Sequence, residues 1–149
     1  MSEVTATVRL VDGLQFVGTG SQSNHAVVMD SVAKHGGHEA GVRPMEMLLM
    51  GLGGCMSMAA VSILRKKKQH VTAFEVFLTG ERSDEGANPF ANIVIEFVVR
   101  GRNLDDAAVQ RSLELSYEKY CPVSATLRNG SEVGYRYRIE EGDTEEPVS

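Results

Sequence analysis

From Met47 to Leu64 the chain runs through 18 positions without one charged side chain. That length reaches the threshold of a membrane span, but Gly51, Gly53, Gly54, Ser57 and Ser62 dilute the run and its surroundings are amphipathic. A helix apolar on every face must then be buried on every face. A single domain of 149 residues has little material with which to wrap such a helix. The run therefore predicts a second copy of the chain, a homodimer with this helix at its centre. Pro44 suits the first helical turn. Arg65-Lys66-Lys67-Lys68 suit the last, where cations complement the dipole, which gives a central helix over residues 44–68.

The flanks have the shorter period of strands. Val4, Ala6, Val8 and Leu10 alternate with Thr5, Thr7 and Arg9. Asp12-Gly13 is a hairpin signal leading into Leu14–Val17. His25–Asp30 reads as a third strand, so residues 1–30 are expected to be β-structure, followed by a loop over Ser31–Val42 that carries glycine and histidine. Beyond the helix, Thr72–Glu81 and Ala91–Arg100 read as strands, and Ile93, Ile95, Phe97 and Val99 share one face. Asn103 is the expected N-cap of a helix reaching about Tyr120, with Val109, Leu113, Tyr117 and Tyr120 as its apolar stripe. Pro122 ends that helix and seeds a short one through Leu127. Ser131–Glu140 is the last strand, completing a β-β-α-β half over residues 72–140, and residues 142–149 are an acidic, flexible tail. The order predicts one α+β domain over residues 1–149, with helices packed on antiparallel sheet.

Composition narrows the partners. A net charge of −5 argues against nucleic acid or an anionic membrane. The polar, alternating N-terminus is unlike a signal peptide, so a cytoplasmic location is expected. In a reducing compartment two cysteines point to catalysis, redox activity or inertness more than to a structural staple.

Those cysteines stand in unlike settings. Cys121 precedes Pro122; with Pro122 at N1, the sulfur is an N-cap facing free backbone N–H groups, which favours a thiolate. Cys55 lies mid-helix on the face of Leu48, Leu52 and Ala59, an apolar setting whose activation needs a neighbour. Gly53 and Gly54 before it each cost roughly 1 kcal/mol in a helix relative to alanine, which makes sense where another element or a substrate comes close. Two readings remain from the residues alone: one thiol attacks and the other resolves, or both are unrelated core cysteines. His35-Gly36-Gly37-His38 is a poor scaffold for fixed ligands, so neither metal nor cofactor is expected. His70 is read as a cation complementing a helix end.

Arg43-Pro44-Met45-Glu46-Met47-Leu48-Leu49-Met50-Gly51-Leu52-Gly53-Gly54-Cys55 resembles the signature helix of the OsmC/Ohr family, the osmotically inducible and organic hydroperoxide resistance proteins. Tyr120-Cys121-Pro122-Val123-Ser124-Ala125-Thr126-Leu127 is similar to the segment around that family's second cysteine. The likeness extends over nearly the whole chain and is nearest to the YhfA-like branch. It implies an intertwined homodimer, two long central helices wrapped by sheet, with sites at the subunit interface. It implies a peroxidatic Cys55 that attacks an organic hydroperoxide, a resolving Cys121, and a dithiol reductant of lipoyl type. The active branches place a glutamate directly after the proline, where this chain has Met45 and then Glu46. Their arginine in a glycine-rich N-terminal turn has no match at Asp12-Gly13-Leu14-Gln15, which leaves Arg43 and Glu46 as auxiliary candidates. The rival expectation is a non-catalytic dimer that binds an apolar or thiol-bearing small molecule at the interface.

Overall fold

The computed structural model describes residues 2–142, so the tail expected over 142–149 lies outside the described residues from 143 onward. The chain divides into two compact units, residues 1–48 and 49–149.

The first unit is a three-stranded antiparallel meander of β1 (Ala6–Asp12), β2 (Gln15–Gly20) and β3 (His25–Met29), in that order. Its register pairs Val8 with Gly18 and Phe16 with Met29. The alternation read in the sequence is present, yet Val8 and Leu10 are 55% and 60% exposed, so the apolar side of β1 is uncovered in the isolated chain. Asp30 organises the loop that follows. Its carboxylate accepts from the backbone N–H of Ser31 (2.7 Å), His38 (3.1 Å) and Ala40 (3.2 Å). Burial pushes the Asp30 pKa up, but these donors outweigh it and hold the carboxyl below its ordinary range.

Helix α1 spans Pro44–Lys66. Its start uses half of a capping box: Glu46 at the third position accepts from the Arg43 backbone N–H at 2.8 Å. Lys68 adopts a left-handed φ of 58° and turns the chain out of the helix, so His70 opens the next strand instead of closing the helix. By length and composition α1 could cross a bilayer, and 28% of its most apolar window is buried. Within this chain the burial falls on one stripe, Leu52, Met56, Ala60 and Leu64, repeating every fourth residue. Met50 and Met58 are 50% and 76% exposed within this one chain. A single chain supplies one face of cover.

The second unit builds that cover from β4 (His70–Arg82), β5 (Phe90–Arg102) and β6 (Glu132–Glu141), in sheet order β4-β5-β6. β4 and β5 pair antiparallel, but β5 and β6 pair parallel, with Phe97 opposite Tyr137. An all-antiparallel arrangement is thus corrected at one ladder. The reason lies in the connection, because a crossover through helices returns the chain in the direction it left. Ile93, Ile95, Phe97 and Val99 are fully buried on the inner face. Phe97 meets Phe74 and Tyr135 edge-on, at 5.9 and 6.2 Å between ring centroids. Burying side chains of this size contributes about 1.5–3 kcal/mol each.

The crossover carries α2 (Asp106–Leu115) and α3 (Pro122–Leu127). Asp105, not Asn103, caps α2: its side chain accepts from Ala107 N–H at 3.3 Å, while Asn103 sits at a left-handed φ of 50°. Val109 and Leu113 are buried as expected. The last turn of the expected longer helix, Ser116–Tyr120, is wider, with the Cys121 N–H donating five residues back to the Ser116 carbonyl at 2.9 Å. That widening swings Tyr120 outward to 51% exposure.

Candidate active site

Cys121 occupies the N-cap of α3, with Pro122 at the first helical position as the sequence predicts. Its sulfur accepts from the Ser124 backbone N–H at 3.2 Å, and the Cys55 thiol lies near enough to act on its titration. Cys121 is 3% exposed and Cys55 half-buried, and both are free thiols. Two cysteines far apart in sequence are therefore neighbours, and Cys55 is the more exposed of the two.

The expectation that the N-cap makes Cys121 a ready thiolate is corrected in its net sign. The thiol is pushed from an ordinary 9.0 up to about 11. Burial is the largest cause, and the neighbouring Cys55 thiol adds to it. The Ser124 and Val123 backbone N–H groups pull the other way and do not prevail. A six-residue helix ends too soon to muster much dipole. Cys121 is thus held as the neutral thiol, with Cys55 beside it.

A residue that the sequence does not single out links the segments carrying the two cysteines. Ser116 is fully buried, and its hydroxyl donates to the carbonyl of Met56, the residue after Cys55, at 2.7 Å. The Ser124 hydroxyl donates to the Tyr117 carbonyl at 3.3 Å and ties α3 back to the widened turn. Tyr117 is itself fixed, its hydroxyl on the Val133 carbonyl at 2.9 Å and the Arg128 guanidinium over its ring at 4.4 Å. The only trace in the sequence is that Ser112 and Ser116 interrupt an apolar stripe at helical spacing.

Gly53 shows why small residues precede Cys55. A Cβ there would lie 2.7 Å from Leu78 Cδ1 of β4, so the glycine lets the strand close on the helix. Gly54 meets nothing within 4 Å. Arg43 and Glu46 stand at the start of α1, where the Arg43 guanidinium donates to the Gly41 carbonyl at 3.1 Å and Glu46 holds the Arg43 amide. Glu46 is nine positions before Cys55 on α1, about 13.5 Å of rise along the axis. His38 pairs with Asp12 at 3.0 Å. No group of three metal-ligating side chains gathers among the described residues.

A family model described as OsmC-like protein matches residues 36–136. The chain is 43% identical over 134 residues to Protein YhfA of Escherichia coli strain K12, a match covering 90% of this chain and 96% of that one. A solved structure of a hypothetical protein from Aquifex aeolicus VF5 is similar with a TM-score of 0.83 at 25% identity, over 96% of this chain and all of that chain (100%). The organic hydroperoxide resistance protein OhrB of Bacillus subtilis shares the fold at 17% identity, with a TM-score of 0.61 over 92% of this chain and 98% of that chain.

Proposed function

Because the chain belongs to the OsmC-like protein family, we propose that it is a homodimeric, cytoplasmic two-thiol peroxidase that reduces organic hydroperoxides. Cys55 is the attacking residue and Cys121 the resolving one. The observation that carries this reading is that the two thiols are neighbours, one half-buried and one buried. Fold kinship with a protein named for organic hydroperoxide resistance supports the substrate class.

The chemistry balances in three steps. The Cys55 thiolate attacks the terminal peroxide oxygen; the S–O bond forms, the O–O bond breaks, and the departing alkoxide takes back from solvent the proton the Cys55 thiol had released, leaving as the alcohol. The sulfur is now a sulfenic acid. Cys121 then attacks that sulfur; the S–S bond forms, the S–O bond breaks, and the departing hydroxide takes the Cys121 proton as water. A small dithiol of lipoyl type finally reduces the disulfide and is itself oxidised to a cyclic disulfide.

The homodimer rests on the uncharged run of α1. Met58 and Met50 are largely exposed on it, and Gly54 faces open space beside Cys55. A second α1 laid on that face would cover the methionines and give the thiol pair a greasy wall suited to an apolar substrate. Arg43 and Glu46 serve as auxiliaries by fixing the start of the helix that carries Cys55.

Reduced protein mixed with a small excess of cumene hydroperoxide tests the proposal, with the thiols read by intact and peptide mass spectrometry. A fast Cys55–Cys121 disulfide is expected, replaced by a Cys55 sulfenic acid in Cys121→Ser. Thiols still reduced after minutes would overturn it and favour the non-catalytic binding dimer.

A further inference from the structure

We infer that Ser116 is a positioning residue that sets how readily the Cys55–Cys121 disulfide forms. This rests on the reading of those two thiols as the reacting pair. Ser116 reaches both sides of the pair through its own atoms. Its hydroxyl donates to the Met56 carbonyl across 60 positions of sequence, at 2.7 Å, and so grips the helix one residue past Cys55. Its carbonyl accepts the Cys121 N–H at 2.9 Å across the widened turn. The hydroxyl of one residue and the carbonyl of the same residue thus join the two backbones that carry the sulfurs.

The carbonyl of Met56 lies inside an unbroken helix and already has an amide partner one turn on. The helix does not need the hydroxyl. Ser112, one turn earlier on α2, is an internal comparison: it too is fully buried, but its hydroxyl donates at 2.7 Å to Ala108 of its own helix and bridges nothing. If a buried serine here merely satisfied a hydroxyl, the two would be equivalent.

The effect is one of chain freedom. In the reduced protein the Ser116 bond restricts how far Cys121 can drift from Cys55, so little additional freedom is lost when the S–S bond forms. Without it the reduced state gains freedom, while the oxidised state stays tethered by the disulfide. The balance of the exchange then shifts toward the thiols: protein disulfide plus reduced dithiol gives two protein thiols plus the cyclic disulfide of the reagent.

The test equilibrates the full chain with set ratios of reduced and oxidised dihydrolipoic acid, traps the thiols with an alkylating reagent and weighs the products. Ser116→Ala is expected to lower the equilibrium constant for the protein disulfide about three- to ten-fold. Ser112→Ala is expected to leave it at the wild-type value. A Ser116→Thr and Ser116→Val pair, alike in volume, repeats the comparison with and without the hydroxyl should the alanine variant not fold. Equal constants for Ser116→Ala and Ser112→Ala, with a disulfide forming normally in the wild type, overturn the role of Ser116 and leave the peroxidase reading standing. A wild-type chain that forms no Cys55–Cys121 disulfide at any ratio overturns both.

Discussion

The backbone N–H of Ser124 donates to the sulfur of Cys121 at 3.2 Å, and the thiol nevertheless titrates upward, to about 11. Helix N-termini lower thiol pKa values where the sulfur also meets solvent or a cation. Here burial comes first and a second thiol comes next, and both favour the neutral form.

Stability should record this at alkaline pH. The thiol has an ordinary value of 9.0 and a folded value of about 11. Between those values the unfolded chain has released the proton and the native chain retains it, so stability is full below 9.0 and falls as pH rises toward 11. Urea midpoints measured from pH 8 to 11 are expected to fall more steeply for the wild type than for Cys121→Ser. Parallel curves would show that Cys121 titrates normally in the folded chain.

Met58 is 76% exposed on an otherwise apolar helix. At such a position in a free monomer, Met58→Asp should change unfolding stability by no more than about 0.5 kcal/mol. Against a second α1 it would place an unpaired charge in an apolar contact. The variant is expected to dissociate to monomer in light scattering at concentrations where the wild type is a dimer. A wild type that is itself monomeric at micromolar concentration would remove the dimer from the proposal.

Glu46 accepts the Arg43 amide at 2.8 Å, a bond that glutamine can also make. Glu46→Ala should cost about 0.3–1.5 kcal/mol of stability and Glu46→Gln close to nothing. Rates of Cys55 oxidation should follow the same order, because the residue acts by fixing the helix start. A Glu46→Gln variant that is stable but slow to oxidise would instead assign the carboxylate charge a direct part in the reaction.

Periodic features were legible in the sequence. Ile93, Ile95, Phe97 and Val99 read as one face and are one buried face, and Pro122–Leu127 stands where the proline placed it. Features decided by the backbone or by tertiary burial were not. Asn103 and Asp105 are both good caps by composition, and only the left-handed φ of Asn103 excludes it. Alternation in β6 is the same whichever way the strand runs, so its parallel pairing with β5 was hidden. The N-cap position of Cys121 was readable, but the direction of its titration was not, because burial is a property of the packed chain. The residues alone left a coupled Cys55 and Cys121 as one of two readings, and the family resemblance chose between them, since nothing in their spacing decides it.

The parallel ladder also orders events in time. Cys121 sits on a crossover whose far end is anchored only when β6 pairs with β5, with partners such as Glu96 and Arg136 40 residues apart. Contacts of that separation form slowly compared with helices and hairpins. In chain order both sulfurs precede the strand that closes the crossover, Cys121 by only eleven positions before Glu132. A chain cut short before Glu132 would carry both cysteines and lack the strand that closes the crossover on which Cys121 sits.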